Sequence, residues 1–243
     1  MTSLIDPRFR VEVLASTPKP QSLVWRAMHQ DYSENFVYDE TPPPESEAGL
    51  LVVKHLLNGD RGHYGPLEHP QISFNVGWFP HDVMQQARTH RVGVSFDVQS
   101  GRYTGQRICA VATGVLDIDE VFYRRPVGVY RNRQGKVYQY TEAARAADLD
   151  IYLTLAKLYK ADIDRGVAEE HARRVIPYAL RQHFVVSCNL RSLLHLFDLR
   201  AKHDAQHEIV QMCELIWPHL EVWAPEVARW YSRTRLHKAR LAP

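Results

Sequence analysis

Ile72, Phe74, Val76 and Trp78 alternate with Gln71, Ser73, Asn75 and Gly77, the two-residue period of a half-buried strand. Pro80 closes that strand. Asp82 and Gln85 have the spacing of a capping box, which starts a helix with Val83, Met84 and Ala87 turned to the core. The chain then runs out through Gly93 into a loop. Upstream, Phe9, Val11 and Val13 alternate as a short strand, and Gln21 to Gln30 reads as a short helix carrying Leu23, Val24 and Met28. The prolines of ETPPPESEAG exclude a helix interior and suit a surface loop. From Glu45, the positions of Leu50, Leu51, Val53, Leu56 and Leu57 restore helical spacing until Gly59.

Further on, Ile108 to Ala112 reads as a strand, and the aromatic and β-branched runs on either side of Asn132–Gly135 as a hairpin. Thr141 caps a long helix that reaches Asp164 and stops at Gly166, with Leu149, Tyr152, Leu153, Ala156 and Tyr159 on one side. A second helix spans Val167 to Ile176 before Pro177. Phe184 to Val186 favours a strand ending near Ser187. Beyond Asn189 a helical pattern continues to Trp217, with Pro218 as its stop. No repeat or linker divides the chain. The expected fold is α/β, one domain over residues 1–243, with a central mixed, partly antiparallel sheet flanked by long helices.

Composition narrows the function classes. Of 243 residues 45% are hydrophobic and 24% charged, and 30 basic residues face 28 acidic ones. This near neutrality argues against a dedicated nucleic-acid coat. The N-terminus lacks a signal pattern and no apolar run nears the roughly 20 residues that span a bilayer, so the expectation is a cytoplasmic protein. Cys109, Cys188 and Cys213 fit no zinc spacing and lie in apolar contexts, which suggests buried free thiols.

Against that neutral background, Gln85–Gly105 concentrates Arg88, Arg91 and Arg102 about His90, with Ser95, Ser100, Gly101 and Tyr103 among them. The planar fork of arginine holds phosphate with two parallel charge-assisted bonds, and a neighbouring glycine lets backbone N–H groups approach the same anion. The stretch therefore reads as a seat for a nucleotide-like anion, or as a solvated basic loop. His63 and His69 flank Glu68 in a loop shaped by Gly62, Gly65 and Pro66. In residues 188–209, Arg191 and His195 share a helix face, as do Arg200 and Asp204. His203 and His207 lack HExxH and a nearby third ligand, so no metal site is expected. Elbow, dinucleotide and P-loop glycine motifs are missing, and no cysteine has His and Asp neighbours in sequence.

These blocks together resemble flavin-dependent thymidylate synthases. That family's signature is Arg-His-Arg, seven residues, then Ser within a Gly-Arg-Tyr-like run; here Thr89-His90-Arg91 precedes Ser100-Gly101-Arg102-Tyr103 with eight residues between. GHYGPLEHPQISFNV, ARRVIP and NLRSLLHLFDLRAKHDAQHEI are similar to further family segments in the same order. The resemblance implies a homotetramer with active sites shared between subunits. It would make dTMP from dUMP with 5,10-methylenetetrahydrofolate, FAD and NADPH, and without a cysteine nucleophile. By position, Gln86, Ser100, Gly101, Arg102, Arg173 and Arg200 would hold dUMP. His63, Glu68, Arg88, His90, Arg91, Asn189, Arg191, His195, Leu199 and Asp204 would line FAD, and Arg200, Ser100 and His63 are the expected catalytic residues. Thr89 stands where the family has arginine, with Arg88 as the expected replacement; Val98, Gly65, His195 and Asp204 are further departures. A catalytically silent nucleotide- or RNA-binding module on the same scaffold is the alternative reading.

Overall fold

The computed structural model describes residues 5–59, 62–132, 134–202 and 204–238. In chain order they form β1 (Arg10–Ser16), α1 (Pro20–Gln30), α2 (Glu45–Val52), β2 (Gln71–Pro80), α3 (His81–Ala87), β3 (Val94–Val98), α4 (Gly101–Thr104) and α5 (Gln106–Ala112). There follow β4 (Gly128–Arg131), β5 (Val137–Tyr140), α6 (Glu142–Asp164), α7 (Glu169–Ala172), β6 (Arg181–Asn189), α8 (Leu190–Arg200), α9 (His207–Trp223) and α10 (Pro225–Thr234). Four strands hydrogen bond in the order β1-β2-β6-β3, and β4 pairs antiparallel with β5 as the expected hairpin. Leu190 N–H meets the Pro70 carbonyl while His81 N–H meets that of Leu180, so β2 and β6 run antiparallel; Asn189 with Gly93 and Gln99 with His183 give β3 the same sense against β6. The central sheet with flanking helices is thus the expected fold class, here with antiparallel pairing.

Contacts divide the chain into two units: Met1–Arg10, Val76–Gln86 and Asp97–Phe184 make the first, and Val11–Asn75, Ala87–Phe96 and Val185–Pro243 the second. The first unit centres on Ile108, Val111, Phe122, Ala156, Tyr159 and Leu180. The ICAVA segment, expected as a strand, is helix α5, because Ile108 and Val111 fall on one helical face against α6. A short aliphatic run satisfies either period, and packing decides. Thr141 caps α6 as expected, accepting from Ala144 N–H at 3.2 Å. The second expected helix is shorter than its pattern: α7 ends at Ala172 and a 3-10 turn carries Arg173–Val175.

Arg181, 1% exposed, ties this unit together. It donates to Asp6 Oδ2 at 2.6 Å and to the Asp119 and Trp78 carbonyls at 2.8 Å. Trp78 has φ of 72°, which breaks the alternation of β2 there, so Phe79 rather than Trp78 is buried. Phe79 stacks on Phe9 with ring centroids 4.0 Å apart.

In the second unit α1 buries Val24, Trp25 and Met28. A short π-helix over Val53–Leu57 follows α2, and the core face is Ala48, Gly49, Val52, Leu56 and Leu57, leaving Leu50 exposed. Gln21 donates to Glu226 Oε2 at 2.7 Å and accepts from Glu226 N–H at 3.0 Å, a buried link from α1 to α10. A Cβ at Gly49 would come within 2.6 Å of that glutamine. Two expectations are corrected here. Residues 94–98 form an edge strand, β3, where a loop was expected, because Val94, Phe96 and Val98 alternate and β6 offers an unpaired side. The long pattern after Asn189 is two helices, α8 ending at Arg200 and α9 starting at His207, and Pro218 lies inside α9 instead of ending it. Burial of Ile216, Leu220 and Trp223 around the proline offsets its cost of ~3 kcal/mol.

Candidate functional site

In the first unit a cleft of about 460 Å³ opens between α3, the start of α4 and the α7 segment. Gly101, Glu170, Arg173 and Arg174 line one part; His81, Gln85, Tyr178 and Gln182 line another. Ser100 caps α4 by accepting from Arg102 N–H at 3.3 Å, which holds the Ser100–Gly101 turn in place. Arg102 Nε lies 3.7 Å from Glu170 Oε2, and Arg173 Nε donates to the Glu170 carbonyl at 3.3 Å. The Glu170 carboxyl is held below its usual range, first by its own backbone N–H and then by Arg102. Arg174 is occupied by Asp162, 2.5 Å away. Exposed Arg102 and Arg173 therefore remain as cations that a ligand can recruit.

Of the sequence-predicted nucleotide residues, Ser100, Gly101, Arg102 and Arg173 lie together here. Gln85, the neighbour of the expected Gln86, also lines the cleft. Sequence reading also missed His81, Tyr178 and Gln182. The only signal for them was the Gln-rich start of the Gln85–Gly105 stretch and an imidazole just after Pro80.

In the second unit Arg200, the last residue of α8, donates from Nε to His90 Nε2 at 3.2 Å and from Nη2 to Thr89 Oγ1 at 2.9 Å. His90 is 6% exposed, and its ring centroid is 5.0 Å from that of His195. Burial lowers the His90 pKa to about 4, with Arg200 and His195 adding to the shift. The ring is neutral, since Nε2 must accept from a guanidinium. Burial also lowers the Arg200 and His195 pKa values. The Nδ1 atoms of His90 and His195 are both buried without a hydrogen-bond partner among the described residues.

Glu68 meets Arg191 Nη1 at 2.6 Å, and Arg191 also lies over the Tyr64 ring. Asn189 is already employed as the cap of α8, accepting from Ser192 N–H at 2.8 Å, while its own N–H bonds the Gly93 carbonyl. Gly93 has φ of 65°, and a Cβ there would fall 2.2 Å from Asn189 Nδ2, so only glycine fits. His63 is exposed and pairs with Asp31 at 2.8 Å. Arg88, Arg91 and Asp204 are exposed and Leu199 is half-buried. The structure thus gathers His90, His195 and Arg200 into one cluster and joins Glu68 to Arg191, whereas His63 is engaged with Asp31.

Burial pushes the Cys188 thiol up to about 12 and raises those of Cys109 and Cys213. A thiolate nucleophile has no support in this chain. Among the described residues no group of three His, Cys, Asp or Glu side chains could hold a metal ion; His203, of the His203–His207 pair, lies outside them. No helix among them is long and apolar enough to cross a membrane.

The family described as thymidylate synthase complementing protein matches residues 12–226. Flavin-dependent thymidylate synthases from Halobacterium salinarum and Haloarcula marismortui are each 33% identical to the chain over 96% of it, covering 100% and 99% of their own lengths. The crystal structure of PolB, a UMP/dUMP methylase from Streptomyces cacaoi bound with 5-Br dUMP, shares the fold at a TM-score of 0.77 with 20% identity, covering 97% of each chain. The chain belongs to the thymidylate synthase complementing protein family, the flavin-dependent thymidylate synthases, and is a methyltransferase of that family.

Proposed function

We propose that the chain converts dUMP to dTMP, taking the one-carbon unit from 5,10-methylenetetrahydrofolate and using FAD, with NADPH as reductant. The observation that carries this reading is the first unit's cleft, where Arg102 and Arg173 bracket Glu170 beside the Ser100–Gly101 turn. A nucleotide phosphate is a dianion with several acceptor oxygens, so it satisfies both guanidinium forks better than the Glu170 carboxylate does Arg102 and the Glu170 carbonyl does Arg173. Gln86, together with Gln85, would complete the nucleotide's contacts.

The second unit's cluster suits a flavin dinucleotide. Two buried imidazole nitrogens without partners among the described residues, beside the Arg200 cation, are what an acceptor-rich ring edge would satisfy. His90, His195, Arg191, Glu68, Arg88, Arg91, Asn189, Leu199, Asp204 and His63 are assigned to that cofactor. Bound flavin would supply the hydride. The protein's own part is electrostatic. Arg200, held by His90 and Thr89 and half-buried, is the proposed cation against negative charge building on a pyrimidine carbonyl, and Ser100 the proposed orienting residue. The raised thiols support a route without a cysteine adduct. Residues 1–243 are read as a single synthase domain acting as a cytoplasmic homotetramer, with sites shared between copies.

Purified protein should be yellow and should release tritium from dUMP labelled at ring carbon 5, given the folate donor, NADPH and FAD. A colourless protein that binds dUMP or RNA and never releases the label would favour the silent binding module.

A further inference from the structure

In the same cleft, four residues form an unbroken line of polar contacts. Gln182, 6% exposed, donates from Nε2 to the Gln99 carbonyl at 3.3 Å, which turns its Oε1 to His81 Nδ1 at 2.5 Å. Nδ1 therefore carries the proton, and the neutral ring accepts at Nε2, where Gln85 Nε2 stands 2.6 Å away. With its amide nitrogen committed, Gln85 has Oε1 left as an acceptor, and Gln85 lines the cleft. The ring of His81 is held flat by Tyr178, centroids 5.6 Å apart and planes 11° from parallel. The line starts at Gln99, whose neighbour Ser100 caps the turn beside the arginines.

We propose that His81 is a positioning residue. Its tautomer, set by Gln182, fixes Gln85 with a carbonyl oxygen presented to an N–H or O–H donor of the uracil nucleotide. This rests on the nucleotide reading of the cleft. A hydrophobic ring at 81 would keep the stack on Tyr178 while releasing Gln85 to rotate. A glutamine free to turn offers the ligand either end of its amide, and part of the binding energy is lost in ordering it.

The test uses the flavin-loaded protein and dUMP, with KM and kcat from tritium release and Kd from calorimetry. His81→Phe should raise the KM and Kd for dUMP about 3- to 10-fold, the scale of one hydrogen bond, and leave kcat within about twofold. Gln85→Ala should do the same, and the double variant should be no worse than Gln85→Ala alone, since both act through one side chain. Gln182→Met, which removes the contact that sets the tautomer, should follow His81→Phe and serves if that variant fails to fold. Unchanged KM in these variants, or additive losses in the double variant, would overturn the relay while leaving the nucleotide reading intact. Wild-type protein that binds no dUMP would overturn both.

Discussion

Arg200 Nη2 donates to Thr89 Oγ1 at 2.9 Å, so the residue that departs from the family's arginine signature serves as acceptor for an arginine brought from the far end of α8. Two guanidinium groups at this spot would repel each other; a hydroxyl instead helps to hold the one that is present. Arg200→Ala should lower kcat/KM for dUMP on the order of 100-fold or more, as expected for a charge that acts on the transition state. Thr89→Ala, which leaves Arg200 its bond to His90, should cost about 3- to 10-fold. The same tritium-release series with Arg88→Ala tests whether that exposed arginine takes over the signature's role. An Arg200 variant with near-normal turnover would remove it from the reaction.

His90 makes stability depend on pH. Its folded pKa is lowered to about 4, below the ordinary value of 6.5, so between those values the unfolded chain binds more protons than the folded one. Stability from this residue is therefore present above pH 6.5 and is lost as pH falls toward 4. Urea unfolding at pH 7 and pH 5 should differ by about 2 kcal/mol from this group. His90→Gln, which keeps an acceptor for Arg200 and does not titrate, should show a shallower slope. An equal slope in that variant would place the dependence elsewhere.

Gly93→Ala should destabilise the second unit by about 2–4 kcal/mol, combining a left-handed backbone with a collision at the cap of α8. Because Asn189 carries that cap, flavin content after purification should fall together with Tm. Normal Tm and flavin content would show that the turn relaxes freely.

Asp6→Ala should cost about 3–5 kcal/mol, since it strands Arg181 as a buried cation beneath Phe9 and Tyr123. The double variant Asp6→Ala/Arg181→Met should be milder, because it removes both charges rather than stranding one. Thermal unfolding of the two variants distinguishes these outcomes.

Arg173→Ala should raise the Kd for dUMP and flatten its salt dependence, as one phosphate contact fewer would. If instead the variant kept its dUMP affinity and changed only its oligomeric state, the arginine would belong to a subunit contact.

Local periodicity and turn chemistry by themselves determined β2, the β4–β5 hairpin, the Thr141 cap of α6 and the middle of β6, because each is dictated by neighbours a few residues away. The motif blocks likewise marked Ser100, Gly101, Arg102 and Arg173, whose residue types fit an anion wherever the chain places them. The tertiary structure decided the rest. The ICAVA run became helix α5 once α6 offered Ala156 and Tyr159 as packing partners, and residues 94–98 became a strand once β6 offered hydrogen bonds. The pairing of Arg200 with His90 and Thr89 joins residues 110 and 111 positions apart, and the His81–Gln182 contact joins residues 101 apart. No local pattern encodes such partners: they exist only when the sheet brings distant segments to the same place, and burial then sets the charge each can carry.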